Sequence, residues 1–141
     1  MGARPFDVRG IDHVVIRAVD PKRVIAFYRD VLGCEVERAV AEVGITQLRA
    51  GSSLIDVIDV AGELGKQGGG AARRDGPNMD HFCVQILPWD SKAIMAHLAS
   101  HGIQAPEVHR RYGALGHGPS MYVQDPEGNT VELKGPPVAD S

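Results

Sequence analysis

Four titratable residues stand at matching points of two halves of the chain. Asp12-His13 opens one β-branched stretch, Ile11 to Arg17, and Asp80-His81 opens another, Asp80 to Ile86. Leu54-Ile55-Asp56-Val57 in the first half is answered by Thr130-Val131-Glu132-Leu133 in the second, so each half carries one histidine and one carboxylate. Alternate side chains of a strand share a face, which puts His13 with Ile11, Val15 and Arg17, and Glu132 with Thr130 and Lys134. A charged side chain on an inward face needs a partner. For His13, His81 and Glu132, at equivalent places in paired strands, that partner is read as a common one. Two neutral imidazoles with one or two carboxylates make a mixed nitrogen and oxygen set. Such a set suits one divalent ion, zinc, nickel, manganese, iron or cobalt, with positions left open for water or substrate.

The elements that must carry these residues recur in one order. After the strand Ile11–Arg17, Asp20 is a good N-cap and Pro21 suits the first helical position. Val24, Phe27, Tyr28, Val31 and Leu32 then fall on one helical face, and Gly33 ends the helix, which predicts Pro21–Leu32. Cys34–Val40, Gly44–Arg49 and Leu54–Val60 read as three short strands. The second half repeats the series: a strand Asp80–Ile86, a cap at Asp90, a helix Ser91–His101 stopped by Gly102, and strands at Ala105–His109, Ser120–Gln124 and Thr130–Lys134. The stretch 62–77 between the halves is glycine-rich and poor in apolar residues, and is expected to be a mobile linker or lid. The expected organisation is a tail at 1–9, one domain at 10–135 made of repeats 10–61 and 78–135, and a tail at 136–141. Each repeat leaves an apolar face that its copy can cover.

The remaining composition narrows the function class. At 141 residues, 43% apolar and 23% charged, the chain can bury a core without disulfides. Fifteen basic against eighteen acidic residues, without a basic block, point to no nucleic acid and no membrane surface. Met1 to Arg9 holds no apolar core of a leader and no run approaches a membrane span, so a cytoplasmic location is expected. Cys34 and Cys83 lie in apolar stretches far apart, which suggests buried free thiols. His97 and His101 stand four apart on the second helix, but Leu98 occupies the place of the glutamate that a helical metalloprotease motif requires. Gly65-Lys66 is followed by Gln67 and lacks the glycine spacing of a phosphate-binding loop.

Four segments together carry a family resemblance: Ile11-Asp12-His13-Val14-Val15, Phe27-Tyr28-Arg29-Asp30-Val31-Leu32-Gly33, Asp80-His81-Phe82, and Asp125-Pro126-Glu127-Gly128-Asn129-Thr130-Val131-Glu132-Leu133. The sequence resembles the vicinal-oxygen-chelate superfamily, which includes glyoxalase I, extradiol dioxygenases and bleomycin-binding proteins, from Gly10 to Gly135. The resemblance implies an α+β fold of two βαβββ modules forming an eight-stranded, incompletely closed barrel with the helices outside. It implicates His13, Asp56, His81 and Glu132 as metal ligands, and Arg17 as an anchor for a substrate carboxylate. Tyr122, expected on the inner face, and His117, expected in a loop from Gly113 to Pro119, are candidates to bind or protonate an oxygenated substrate.

The activity implied is that of a glyoxalase-I-like lyase or isomerase, in which a divalent metal chelates neighbouring oxygens of a small carbonyl substrate and stabilises an enediolate. Glu132 is its proton shuttle and the catalytic residue. A ring-cleaving iron dioxygenase would use His13, His81 and Glu132 and leave Asp56 free. A binding protein that sequesters a drug or metabolite would need no ligands at all. Relatives of this size commonly pair modules between chains, so a homodimer is expected.

Overall fold

The computed structural model describes residues 4–5, 7–104 and 106–139. Two four-stranded sheets, not closed on one another, carry eight strands in the order the repeat implies. The first module comprises β1 (His13–Ala18), α1 (Pro21–Ala26), β2 (Val36–Val40), β3 (Ile45–Ala50) and β4 (Ser53–Asp59). The second comprises β5 (Phe82–Gln85), β6 (His109–Gly113), β7 (Gly116–Gln124) and β8 (Thr130–Lys134). α2 (Glu63–Gln67) lies between the modules, and α3 (Ser91–Ser100) follows β5 within the second. Strand order is β1-β4-β3-β2 in one sheet and β5-β8-β7-β6 in the other. The first strand of each module runs parallel to the last, and the other neighbours are antiparallel.

One face of each sheet is apolar and covered. Ile16, Ile55 and Val57 are buried with Val24 and Tyr28 from the first helical segment, and Met121, Val131 and Leu133 with Leu98 of α3. The alternate positions, which include His13, Asp56, Glu132 and Lys134, point to the opposite face. Period-two alternation therefore separates the packing face from the chemical face in both modules.

The two modules are tied by polar contacts, from a buried one at Tyr28 to exposed ones at Glu127. The Tyr28 hydroxyl donates to Asp125 at 2.9 Å. The Glu127 carboxylate accepts from the amides of Val19 at 2.8 Å and Asp20 at 2.6 Å. Asn78 donates to Asn129 at 2.8 Å and also bonds the backbone of Arg17. The turn 125–129 of the second module thus clamps the entry and the end of the first module's helix.

Several expected boundaries move for identifiable reasons. The helix expected at Pro21–Leu32 is α-helical only to Ala26 and widens into a π-helical turn, Phe27–Val31, where the Leu32 amide reaches back to Phe27. Gly33 ends it at φ +76°, the left-handed conformation that glycine adopts without cost. The expected linker is not structureless: α2 forms within it, and the Leu64 amide bonds Val43. The expected strand Ala105–His109 starts at a residue outside those described, and the strand itself is found at His109–Gly113. The expected loop from Gly113 to Pro119 is a tight hairpin between β6 and β7, with Gly113 paired to Gly116. Of the two cysteines only Cys34 is buried, whereas Cys83 is exposed.

Candidate metal and substrate site

Parallel pairing brings histidine and carboxylate together in each module. Val15 lies opposite Asp56 in the β1–β4 register, one step beyond His13 opposite Leu54 on the same face. His13 Nε2 stands 3.9 Å from Asp56 Oδ2. Cys83 lies opposite Glu132 in the β5–β8 register, and His81 Nε2 is 3.5 Å from Glu132 Oε2. The carboxylate is offset by two residues from the level of the histidine in both halves, so the geometry repeats along with the sequence.

Each histidine is oriented by the aspartate before it. Asp12 Oδ1 is 2.7 Å from His13 Nδ1, and Asp80 Oδ2 is 2.5 Å from His81 Nδ1. A carboxylate at Nδ1 favours the tautomer whose proton sits there, leaving the Nε2 lone pair free to bind a cation. The hydrogen bond from His13 to Asp12, and then the charge of Asp56, raise the His13 pKa above its ordinary 6.5.

The carboxylates are held in place as well. Asp56 is 2% exposed; its Oδ2 accepts from Gln47 Nε2 at 3.1 Å, while its Oδ1 is buried with no hydrogen-bond partner. A buried carboxylate oxygen without a partner is costly, and a cation bound there would satisfy it. Glu132 Oε1 accepts from Ser120 Oγ at 2.6 Å, which leaves Oε2 toward His81. Burial pushes the Glu132 carboxyl up, but hydrogen bonds from Ser120 and Cys83 and the charges of His81 and Arg111 outweigh it and hold the group below the ordinary carboxylate range. It is therefore ionised at neutral pH. At Cys83, desolvation and then the neighbouring Glu132 charge push the thiol up to about 12, so it is not a ready nucleophile.

The other expected site residues divide. Tyr122 lies opposite Glu132 in the β7–β8 register, its ring 5.3 Å from that of His81, with the Arg111 guanidinium 4.3 Å above it. Arg111 also donates to Ser120 Oγ at 3.1 Å. Arg17 shares the His13 face, but its guanidinium donates to the carbonyls of Gly65 and Gly70, each at 3.0 Å, and of Gly69. His117 pairs with Tyr112, ring centroids 5.0 Å apart, one step out of phase with Tyr122 and so on the opposite face of β7. The structure thus gathers His13 with Asp56, and His81 with Glu132 and Tyr122. It does not bring His117 to either pair. Among the described residues no three His, Cys, Asp or Glu side chains form a group that could hold a metal ion, and the two His–carboxylate pairs stand apart.

Sequence reasoning missed Asp12, Asp80, Gln47 and Ser120. The recurrence of aspartate before each histidine was the available signal for the first two. Gln47 and Ser120 depend on sheet register, which a lone strand does not disclose.

Comparison with known proteins identifies a family and a fold. A family profile described as the Glyoxalase/Bleomycin resistance protein/Dioxygenase superfamily matches residues 10–133. A glyoxalase domain-containing protein of Mycosarcoma maydis is 36% identical over 131 residues, covering 92% of this chain and 70% of its own. A virulence protein of Salmonella typhimurium shares the fold at TM-score 0.74 and 24% identity, over 94% of this chain and all 100% of its own. A lactoylglutathione lyase of Agrobacterium tumefaciens does so at 0.64 and 21%, over 94% of this chain and 96% of its own.

Proposed function

The chain belongs to the Glyoxalase/Bleomycin resistance protein/Dioxygenase superfamily, and from that premise we propose that it is a divalent-metal-dependent lyase or isomerase acting on a small carbonyl compound with two neighbouring oxygens. The observation that carries the reading is the pair of equivalent His–carboxylate half-sites, one of which holds an unpartnered buried oxygen, Asp56 Oδ1. Each half-site offers two donor residues, fewer than a divalent ion of this kind takes. His13 and Asp56 of one copy and His81 and Glu132 of a second copy would complete the set in a homodimer. Val15 on the His13 face and Tyr122 on the Glu132 face, each 38% exposed, would lie at that contact.

The chain's own residues supply the proton chemistry. A bound divalent ion polarises a carbonyl oxygen and so acidifies the carbon beside it. Ser120 engages Glu132 Oε1, so Oε2 is the atom left to face a bound ion, and it would have to leave that ion to take a proton from that carbon and return it to the neighbouring one. Glu132 is in the basic form at neutral pH, as this step requires. Tyr122 lies against the same residues and orients a substrate oxygen. Arg17, as an anchor for a distal carboxylate, would have to exchange its glycine carbonyls for the substrate.

The test is solvent exchange. Protein loaded with zinc, nickel or manganese in D₂O is expected to place deuterium on the carbon beside the carbonyl of α-hydroxy aldehydes and ketones or thiohemiacetals, followed by proton NMR. Glu132→Gln is expected to lower the rate by about 10²–10⁴-fold, the usual contribution of a positioned base. Absence of exchange with every metal, together with oxygen uptake on catechols by the iron form, would assign the ring-cleaving reading instead.

A further inference from the structure

Lys134 has no role in the scheme above, yet it is among the most buried charged groups of the protein at 5% exposure. It lies on β8 two residues beyond Glu132 and so on the same face. Its ammonium donates to the Gly116 carbonyl at 2.9 Å. Among the described residues it makes no ion pair with any carboxylate. One carbonyl leaves the charge uncompensated, and a buried ammonium without counter-charge destabilises the fold.

The fold nevertheless makes room for this side chain. A Cβ on Gly113 would come 2.9 Å from Lys134 Cε, 3.0 Å from Cδ and 3.3 Å from Nζ, so the lysine stem runs through space that only a glycine at the hairpin leaves open. Lys134 and Glu132 line the same cleft of about 420 Å³, together with Cys83, Gln85, and Ala114 and Leu115 of the hairpin. That volume suits a small molecule. Arg111, the nearby alternative cation, is already engaged by Ser120 and the face of Tyr122.

We propose that Lys134 binds a compact oxyanion, a carboxylate or phosphate, borne by the molecule whose carbonyl meets Glu132. Two residues of strand separate the groups, roughly 7 Å, which selects short-chain oxo acids or phosphorylated carbonyl compounds over neutral ones. The identity of the reacting end rests on the function proposed above; the anion site itself does not, because it needs no metal.

The experiment uses metal-free protein and three probes: levulinate, its uncharged methyl ester and inorganic phosphate, titrated while the amide signals of Leu115 and Gly116 are followed by NMR. Saturable shifts are expected with levulinate, phosphate or both, and none with the ester; which anion binds distinguishes carboxylate from phosphate. Lys134→Met is expected to weaken binding about tenfold or more, the scale of a charge-assisted contact, and to melt no lower than wild type. It is also expected to bind zinc at wild-type stoichiometry. A lysine serving only to tie the hairpin would instead lower the melting temperature on replacement and leave anion binding unchanged. Should Lys134→Met fail to fold, Gly113→Ala, which keeps the charge but pushes the stem aside, is expected to show the same loss of affinity. Equal affinity for anion and ester, or undiminished anion binding in either folded variant, would overturn the proposal. His81→Ala that loses no zinc while levulinate still binds would defeat the metal reading and leave this one standing.

Discussion

As the proposed metal ligands, His13 and His81 would bind through the nitrogen their neighbours leave without a proton, a choice that Asp12 and Asp80 at Nδ1 favour. Asp12→Asn is expected to lower zinc affinity about 10–100-fold, the usual effect of losing such a support, measured by competition with a chromophoric chelator. The pH dependence has a definite sign. Because the fold raises the His13 pKa above 6.5, its contribution to the stability of metal-free protein is fully present below that value and is lost as pH rises through the raised one. Metal needs the neutral ring, so metal and proton compete at His13 and occupancy runs the other way, falling on acidification. In chelator, the melting-temperature gap between wild type and Asp12→Asn is therefore expected to be wider near about pH 5.5 than near about pH 9. Equal gaps would contradict the assigned cause. The four candidate ligands were legible in the sequence because type and position repeat. The hydrogen bonds that aim them were not, since Ser120 meets Glu132, and Gln47 meets Asp56, only through strand register.

At the scale of elements, the glycine-rich stretch and the helix end show where reading along the chain stops working. The apolar spacing of Val24, Phe27, Tyr28 and Val31 marks a buried helical face but not the hydrogen-bond register, so the π-helical turn at Phe27–Val31 left no periodic trace. That turn carries Tyr28, whose hydroxyl reaches Asp125 in the other module. The β6–β7 hairpin was hidden because its Ala114-Leu115 turn lacks the Asn-Gly or Asp-Gly signal, and glycine and proline around it read as loop. In 62–77 composition pointed to mobility, whereas three carbonyls of the segment close on the Arg17 guanidinium. Gly68 also packs directly on Arg17, where a side chain would collide. Arg17→Ala is expected to free this strap and speed tryptic cleavage after Lys66, Arg73 and Arg74 by about tenfold, as local opening becomes easier. Unchanged cleavage would mean that α2 and its contact with Val43 hold the segment without Arg17.

At the scale of the whole molecule, each sheet packs its apolar face into the core and carries its His–carboxylate pair on the other. No helix is long and apolar enough to cross a membrane among the described residues. The shared metal site proposed above joins the His13–Asp56 pair of one copy to the His81–Glu132 pair of the other in a homodimer. Its most direct test is the zinc content of a mixed dimer. One chain carries His13→Ala with Asp56→Ala, the other His81→Ala with Glu132→Ala, and the two are mixed, allowed to exchange and freed of unbound metal. Each variant alone is expected to hold no stoichiometric zinc. In the mixture, the twofold arrangement gives every heterodimer one intact site and one wholly broken one, so random exchange restores about a quarter of the wild-type content. Zinc that stays at the level of the separate variants, with heterodimers demonstrated by mass spectrometry, would contradict the shared site.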